Sequence, residues 1–105
     1  MAYKVFFSYQ TDIKVYCERF IRVAIHKAIR EIKEFEIKLD YGMRGTSGNP
    51  LLIEEMLQKA KNADIVISDL TLIGTSDNGM KRISNPNVLL ETGHAWSIHG
   101  YNRTL

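Results

Sequence analysis

Asp64-Ile65-Val66-Ile67-Ser68-Asp69-Leu70 is the stretch that decides the fold. Three consecutive β-branched residues bounded by polar ones read as a short strand, and the unbroken run predicts burial on both faces. Just before it, Ile53, Met56, Leu57, Ala60 and Ala63 recur at helical spacing. Asn49-Pro50 supplies that helix's start, with the Asn as cap and the proline at the first helical position. Further back, Phe35-Glu36-Ile37-Lys38-Leu39 alternates apolar and polar, the pattern of a strand with one more exposed face. It leads through Asp40-Tyr41 into the glycine-rich loop 42–49. Lys4-Val5-Phe6-Phe7 predicts a first strand that ends at Ser8-Tyr9-Gln10. A long helix from Ile13 to Lys33 follows, with Thr11 or Asp12 as its cap. Its stripe is Ile13, Cys17, Phe20, Ala24, Ala28 and Ile32, widened by Ile21, Ile25 and Ile29.

Downstream, residues 74–85 read as a polar loop. Asn85-Pro86 then starts a helix that runs to His99 and stops at Gly100. Tyr101 to Leu105 read as the lead into a fourth strand. Strands alternating with helices through short connections define a parallel, doubly wound α/β sheet. A fold of this kind normally carries one or two more strands, so the chain is expected to be truncated before the last strand and helix.

Composition narrows the class. With 105 residues the chain has room for one domain at about 150 residues each. A hydrophobic content of 45% and a charged content of 25% are ordinary globular values and argue against a disordered chain. A formal charge of +2 is too small to imply nucleic acid or a membrane surface. No apolar run reaches the length of about 18 residues that a span needs, and no signal peptide is recognisable. The single cysteine, Cys17, excludes a disulfide framework, and its place in the apolar stripe makes it a core residue. A cytoplasmic location is the expectation.

In an open parallel sheet, ligands bind beyond the carboxyl ends of the strands. Ser8-Tyr9-Gln10, Asp40-Tyr41 and Ser68-Asp69-Leu70-Thr71 all fall there, which predicts one polar crevice. Glu91 is the most informative residue. It lies in the second turn of an otherwise apolar helix, Asn85-Pro86-Asn87-Val88-Leu89-Leu90-Glu91-Thr92-Gly93-His94-Ala95. A lone Glu on a helix ordinarily marks a solvated face. Here the almost unbroken apolar surroundings, and a glycine that costs the helix about 1 kcal/mol relative to Ala and suggests a close approach, set a working carboxylate beside that reading, and the residues alone leave both open. Loop 42–49 lacks both the Walker A lysine pattern and G-x-G-x-x-G, and Arg44 is its one charge and natural anion contact. His94 and His99 are wrongly spaced for a metal, so no metal site is expected. Asp69 lacks the acidic pair after the first strand that a phosphorylated receiver domain needs.

Phe6-Phe7-Ser8-Tyr9-Gln10-Thr11-Asp12, Gly48-Asn49-Pro50, Ala63 through Thr71 and Asn85 through Ala95 together resemble the bacterial TIR-like domains of Toll/interleukin receptor type. The resemblance spans residues 1–105 as a single domain. It implies a flavodoxin-like three-layer sandwich of five parallel strands. It also implies hydrolysis of the nicotinamide N-glycosidic bond of NAD, in antiphage defence or signalling, with NAD as substrate and no cofactor. The catalytic glutamate of that family falls on Glu91. Its binding surfaces fall on Phe7, Ser8 and Tyr9 and on Asp40, Arg44 and Thr46, with Trp96 one turn beyond Glu91. Asn87 stands where many relatives carry Ser or Cys, and the loop after the second strand carries less charge than in many of them. The expected partners are NAD or a related nucleotide, other TIR domains through self-association, and a C-terminal sensor region outside this chain. Neither nucleic acid nor membrane is expected.

Two further readings stand beside NAD hydrolysis. One is a non-catalytic module that signals by TIR–TIR contact. The other is a nucleoside deoxyribosyltransferase-like enzyme, a family with the same sheet and a similar asparagine-and-glutamate helix segment.

Overall fold

Strand β1 (Ala2–Ser8) lies between β2 (Glu36–Tyr41) and β3 (Ile65–Ser68) in a parallel sheet ordered β2-β1-β3. The computed structural model describes residues 2–41 and 50–105. In register, Val5 lies beside Leu39 and Ile65, and Ser8 beside Ser68. Successive side chains of a strand point to opposite faces, so each strand feeds two cores. On one face Phe6 and Val66 pack with Met56, Ala60, Ala63 and Ala95. These come from α3 (Pro50–Asn62) and α4 (Pro86–His99) and the residue just past α3. On the other face Phe7 packs with Cys17 and Ile25, with Leu39, Tyr41 and Ile67 around them. Phe6 and Phe7 are each 1% exposed, and burying such a side chain stabilises the fold by about 1.5–3 kcal/mol. The arrangement is a mixed α/β fold with helices on both faces of the sheet.

The first helix runs as α1 (Lys14–Tyr16), a π-helical segment (Cys17–Ile21) and α2 (Arg22–Glu31). Its buried line differs from the stripe the spacing predicts. Cys17 and Ile25 are buried and Ile21 and Ile29 pack against them, whereas Phe20 is 61% exposed. Cys17, Ile21, Ile25 and Ile29 follow one another at steps of four residues, which places them along one face, and Phe20 lies off that line. The start of the helix is also served differently from the prediction: Gln10 Oε1 accepts the Ile13 backbone N–H at 2.6 Å. Asp12 instead accepts a hydrogen bond from Asn85 Nδ2 at 2.7 Å.

The segment read as a polar loop folds into an antiparallel hairpin of β4 (Leu72–Thr75) and β5 (Arg82–Ser84). Side chains of Ser76 and Asn78 shape its turn, which Gly79 completes at φ 71°. β3 is also less enclosed than its β-branched run predicts. Val66 is fully buried but Ile65 is 36% exposed.

The predicted lead into a fourth strand is present. After a 3₁₀ turn (Tyr101–Arg103), Thr104 bridges Val66 in parallel. Leu105 N donates to the Val66 carbonyl, and Ser68 N donates to the Leu105 carbonyl, both at 2.8 Å. Gly100, at φ 74°, ends α4 as expected. Pro50 opens α3 as expected, while its proposed cap Asn49 lies outside the described residues.

Candidate active site

The carboxyl ends of β1 and β3 meet the first turns of α4 in a set of buried polar side chains. Ser8, Gln10, Asp69, Glu91 and Thr92 are all less than one-tenth exposed. Helix α4 carries two of them because its start is fixed. Asn85 Oδ1 accepts the backbone N–H of Asn87 at 2.8 Å and of Val88 at 3.2 Å. This satisfies two of the donors that a helix N-terminus leaves open. Asp12 holds the same Asn85 from the β1–α1 connection. From that anchor, Val88, Glu91, Thr92 and Ala95 form the inward face, a set spaced by three and four residues.

Glu91 is 4% exposed, and Ser8 Oγ donates to its Oε2. Ser8 is the last residue of β1 and lies on the face shared by Phe6, which is the α4 face. The next residue, Thr92, has its Oγ1 2.7 Å from Ser68 Oγ and 2.6 Å from the Val88 carbonyl. The helix is thus tied to the ends of both strands. A buried carboxylate is tolerated only with hydrogen-bonding partners, and an ionised one accepts hydrogen bonds without donating. Ser8 supplies such a partner to Glu91.

Asp69, 2% exposed, closes the other side. Its Oδ2 accepts from Gln10 Nε2 at 3.0 Å, and its Oδ1 accepts the Thr71 backbone N–H at 3.0 Å and the Thr71 hydroxyl at 2.5 Å. Gln10, fully buried, also donates to the Ile13 carbonyl. This clamp fixes the β1–α1 and β3–β4 connections at the rim. Sequence reading placed Gln10 and Asp69 at strand ends without pairing them, because 59 residues separate the two.

The remaining predicted residues separate by face. Phe7 and Tyr9 lie on the α2 side, where with Tyr41 they form an aromatic group with centroids 5.7–6.3 Å apart. A cavity of about 200 Å³ opens there, lined in part by Tyr9, Gln10, Cys17, Arg22 and Tyr41. The Arg22 guanidinium lies 4.6 Å from the centroid of the Tyr41 ring. Hydrogen bonding to Tyr41 pushes the Arg22 pKa above its ordinary value. The Tyr41 hydroxyl also meets His26 Nε2. Asp40 lies on the α3 side, 3.3 Å from Lys59 Nζ.

Asn87, part-buried, spends its backbone N–H on the Asn85 cap. Trp96 is 54% exposed and so is not a core residue. Gly93 does not mark a close approach: it is exposed, and a Cβ built on it meets nothing within 4 Å. Arg44 and Thr46 lie outside the described residues.

Among the described residues there is no group of three or more His, Cys, Asp or Glu able to hold a metal ion. Among them, too, no helix is long and apolar enough to cross a membrane. No family model, curated protein or solved structure matches the chain.

Proposed function

We propose that the chain hydrolyses the N-glycosidic bond of NAD or a related nucleotide, with Glu91 as the catalytic carboxylate. The observation that carries this reading is the buried Glu91 side chain held by Ser8 where β1 ends and α4 begins. The sheet order β2-β1-β3, with Thr104 starting beside β3, supports a flavodoxin-like arrangement of TIR-like type. In such a sheet the rim at the carboxyl ends of the strands is where a ligand binds.

The chemistry follows from the bond. In NAD the nicotinamide nitrogen is positively charged. When the bond from C1′ of the ribose breaks, the bonding pair goes to that nitrogen and nicotinamide departs neutral. No general acid is needed. Positive charge develops on the ribose, as in glycoside hydrolysis. A carboxylate in a water-poor site stabilises that charge strongly. Water then adds to C1′ and gives up a proton, leaving ADP-ribose. In this reading a ribose hydroxyl takes over the Ser8 hydrogen bond to Glu91, and Ser8 is the residue that holds the carboxylate ready before substrate arrives.

A second reading, a module that acts by self-association, is favoured by the outer face of α4. Leu89, Leu90, Trp96 and Ile98 are 41–54% exposed on that one helix. The two readings separate in one experiment. Nicotinamide release from NAD is followed at high protein concentration for wild type and Glu91→Ala, with assembly monitored by light scattering. Release by wild type alone supports the hydrolase. Equal assembly of both proteins without release supports the module. Release of free base from a deoxynucleoside, with NAD untouched, would reassign the site to deoxyribosyl transfer.

A further inference from the structure

On the sheet face that carries α3 and α4, a groove of about 360 Å³, whose lining includes neither Ser8 nor Glu91, runs between the edge strand β2 and the last turns of α3. Lys4, Lys38 and Lys59 line it, together with Asp40, Asn62 and a floor that includes Phe6. Three lysines against one aspartate leave two net positive charges in a small concavity. Lys4 and Lys38 are direct register partners on adjacent parallel strands. Neighbouring strands lie about 4.8 Å apart, so the two side chains leave the sheet side by side on one face. Like charges placed opposite each other on a sheet destabilise it. Among the described residues the ion pair across the groove is Lys59–Asp40, and Lys4 and Lys38 have no carboxylate within ion-pair distance.

We propose that this groove is a second binding site, for a nucleoside monophosphate. The volume falls at the lower end of small-molecule pockets, about 300–1,000 Å³, which suits a mononucleotide better than a dinucleotide. Lys4 and Lys38 present paired ammonium groups to a phosphate, as lysines in phosphate sites do. Asp40 accepts hydrogen bonds only, and Asn62 both donates and accepts. Together they match the hydroxyls of a ribose and the edge of a base. The apolar floor covers the face of the base. A bound phosphate relieves the Lys4–Lys38 repulsion, which gives the unfavourable register a purpose. The site is independent of the Glu91 reaction.

The test is titration calorimetry of the whole chain with adenosine 5′-monophosphate, adenosine and inorganic phosphate as separate probes. The monophosphate is expected to bind more tightly than either fragment, and to weaken as salt is raised. A Lys4→Gln/Lys38→Gln double variant is expected to bind it about tenfold or more weakly, while Glu91→Gln binds it like wild type. Without ligand the double variant is expected to melt no lower than wild type, since it has lost a repulsion. The proposal is overturned by adenosine binding as tightly as its monophosphate, or by absence of binding at millimolar concentration. Affinity that falls with Glu91→Gln but not with the lysine variant overturns it as well, as does a double variant that melts below wild type.

Discussion

Ser8 and Glu91 stand 83 residues apart in the chain and share a buried hydrogen bond that joins the end of β1 to the second turn of α4. The bond lies at the junction of sheet and helix, and under the proposed reaction it serves the fold and the chemistry together. Removing the donor leaves a buried carboxylate short of one partner. Ser8→Ala is therefore expected to slow nicotinamide release about tenfold to a hundredfold, the equivalent of the 1.5–3 kcal/mol of a charge-assisted hydrogen bond. The same variant should melt below wild type. Ser8→Thr, which keeps the hydroxyl, should recover part of the rate. Release assays alongside thermal melts check both.

Asn85 sets the position of α4 by capping it and by its bond to Asp12. Asn85→Ala is expected to cost about 1–2 kcal/mol of stability, as loss of a capping side chain does. Asp12→Ala should cost less, because that contact is exposed. Urea denaturation of the two single variants and the double variant measures their coupling, which should stay below about 1 kcal/mol.

Gln10 and Asp69 satisfy each other in the interior while both hold backbone groups of their connections. Gln10→Leu is expected to destabilise by about 2–4 kcal/mol, since it strands Asp69 and the Ile13 N–H. That is more than an ordinary surface change and should be visible in the urea midpoint.

Gly93 is the opposite case. It is exposed within α4 and a side chain there meets open space. Gly93→Ala is expected to raise stability by up to about 1 kcal/mol through helix propensity. Ala95, which has no exposed surface in the core behind the same helix, should show the reverse, with Ala95→Leu costing about 1–3 kcal/mol by overpacking. Thermal melts of the pair check the assignment of α4's two faces.

What could be read from the sequence follows from the range of the interactions. The strand Ile65–Ser68 and helix Pro86–His99 declare themselves locally, through a β-branched run and an Asn-Pro start. Glu91 was legible because a carboxylate among Val88, Leu89 and Leu90 contradicts its neighbours. The hairpin does have a local signal, since Asn78-Gly79 between Leu72-Ile73 and Arg82-Ile83 is a strong hairpin turn pattern, but the polar character of residues 74–85 masks it. The π segment at Cys17–Ile21 could not be read from a stripe that assumed one helical period. Partnerships such as Gln10 with Asp69, or Asp12 with Asn85, depend on the closed sheet and have no local signature. The Lys4–Lys38 register is of the same kind, invisible until β1 and β2 are aligned.

The central claim is that Glu91 is the carboxylate on which the reaction turns. The most direct test is nicotinamide release from NAD by concentrated protein, wild type beside Glu91→Gln, with circular dichroism to confirm that both are folded. Release by wild type is expected, with at least a hundredfold loss in the folded variant, a loss of about 2.7 kcal/mol or more in transition-state stabilisation. A folded Glu91→Gln protein that releases nicotinamide at the wild-type rate would contradict it.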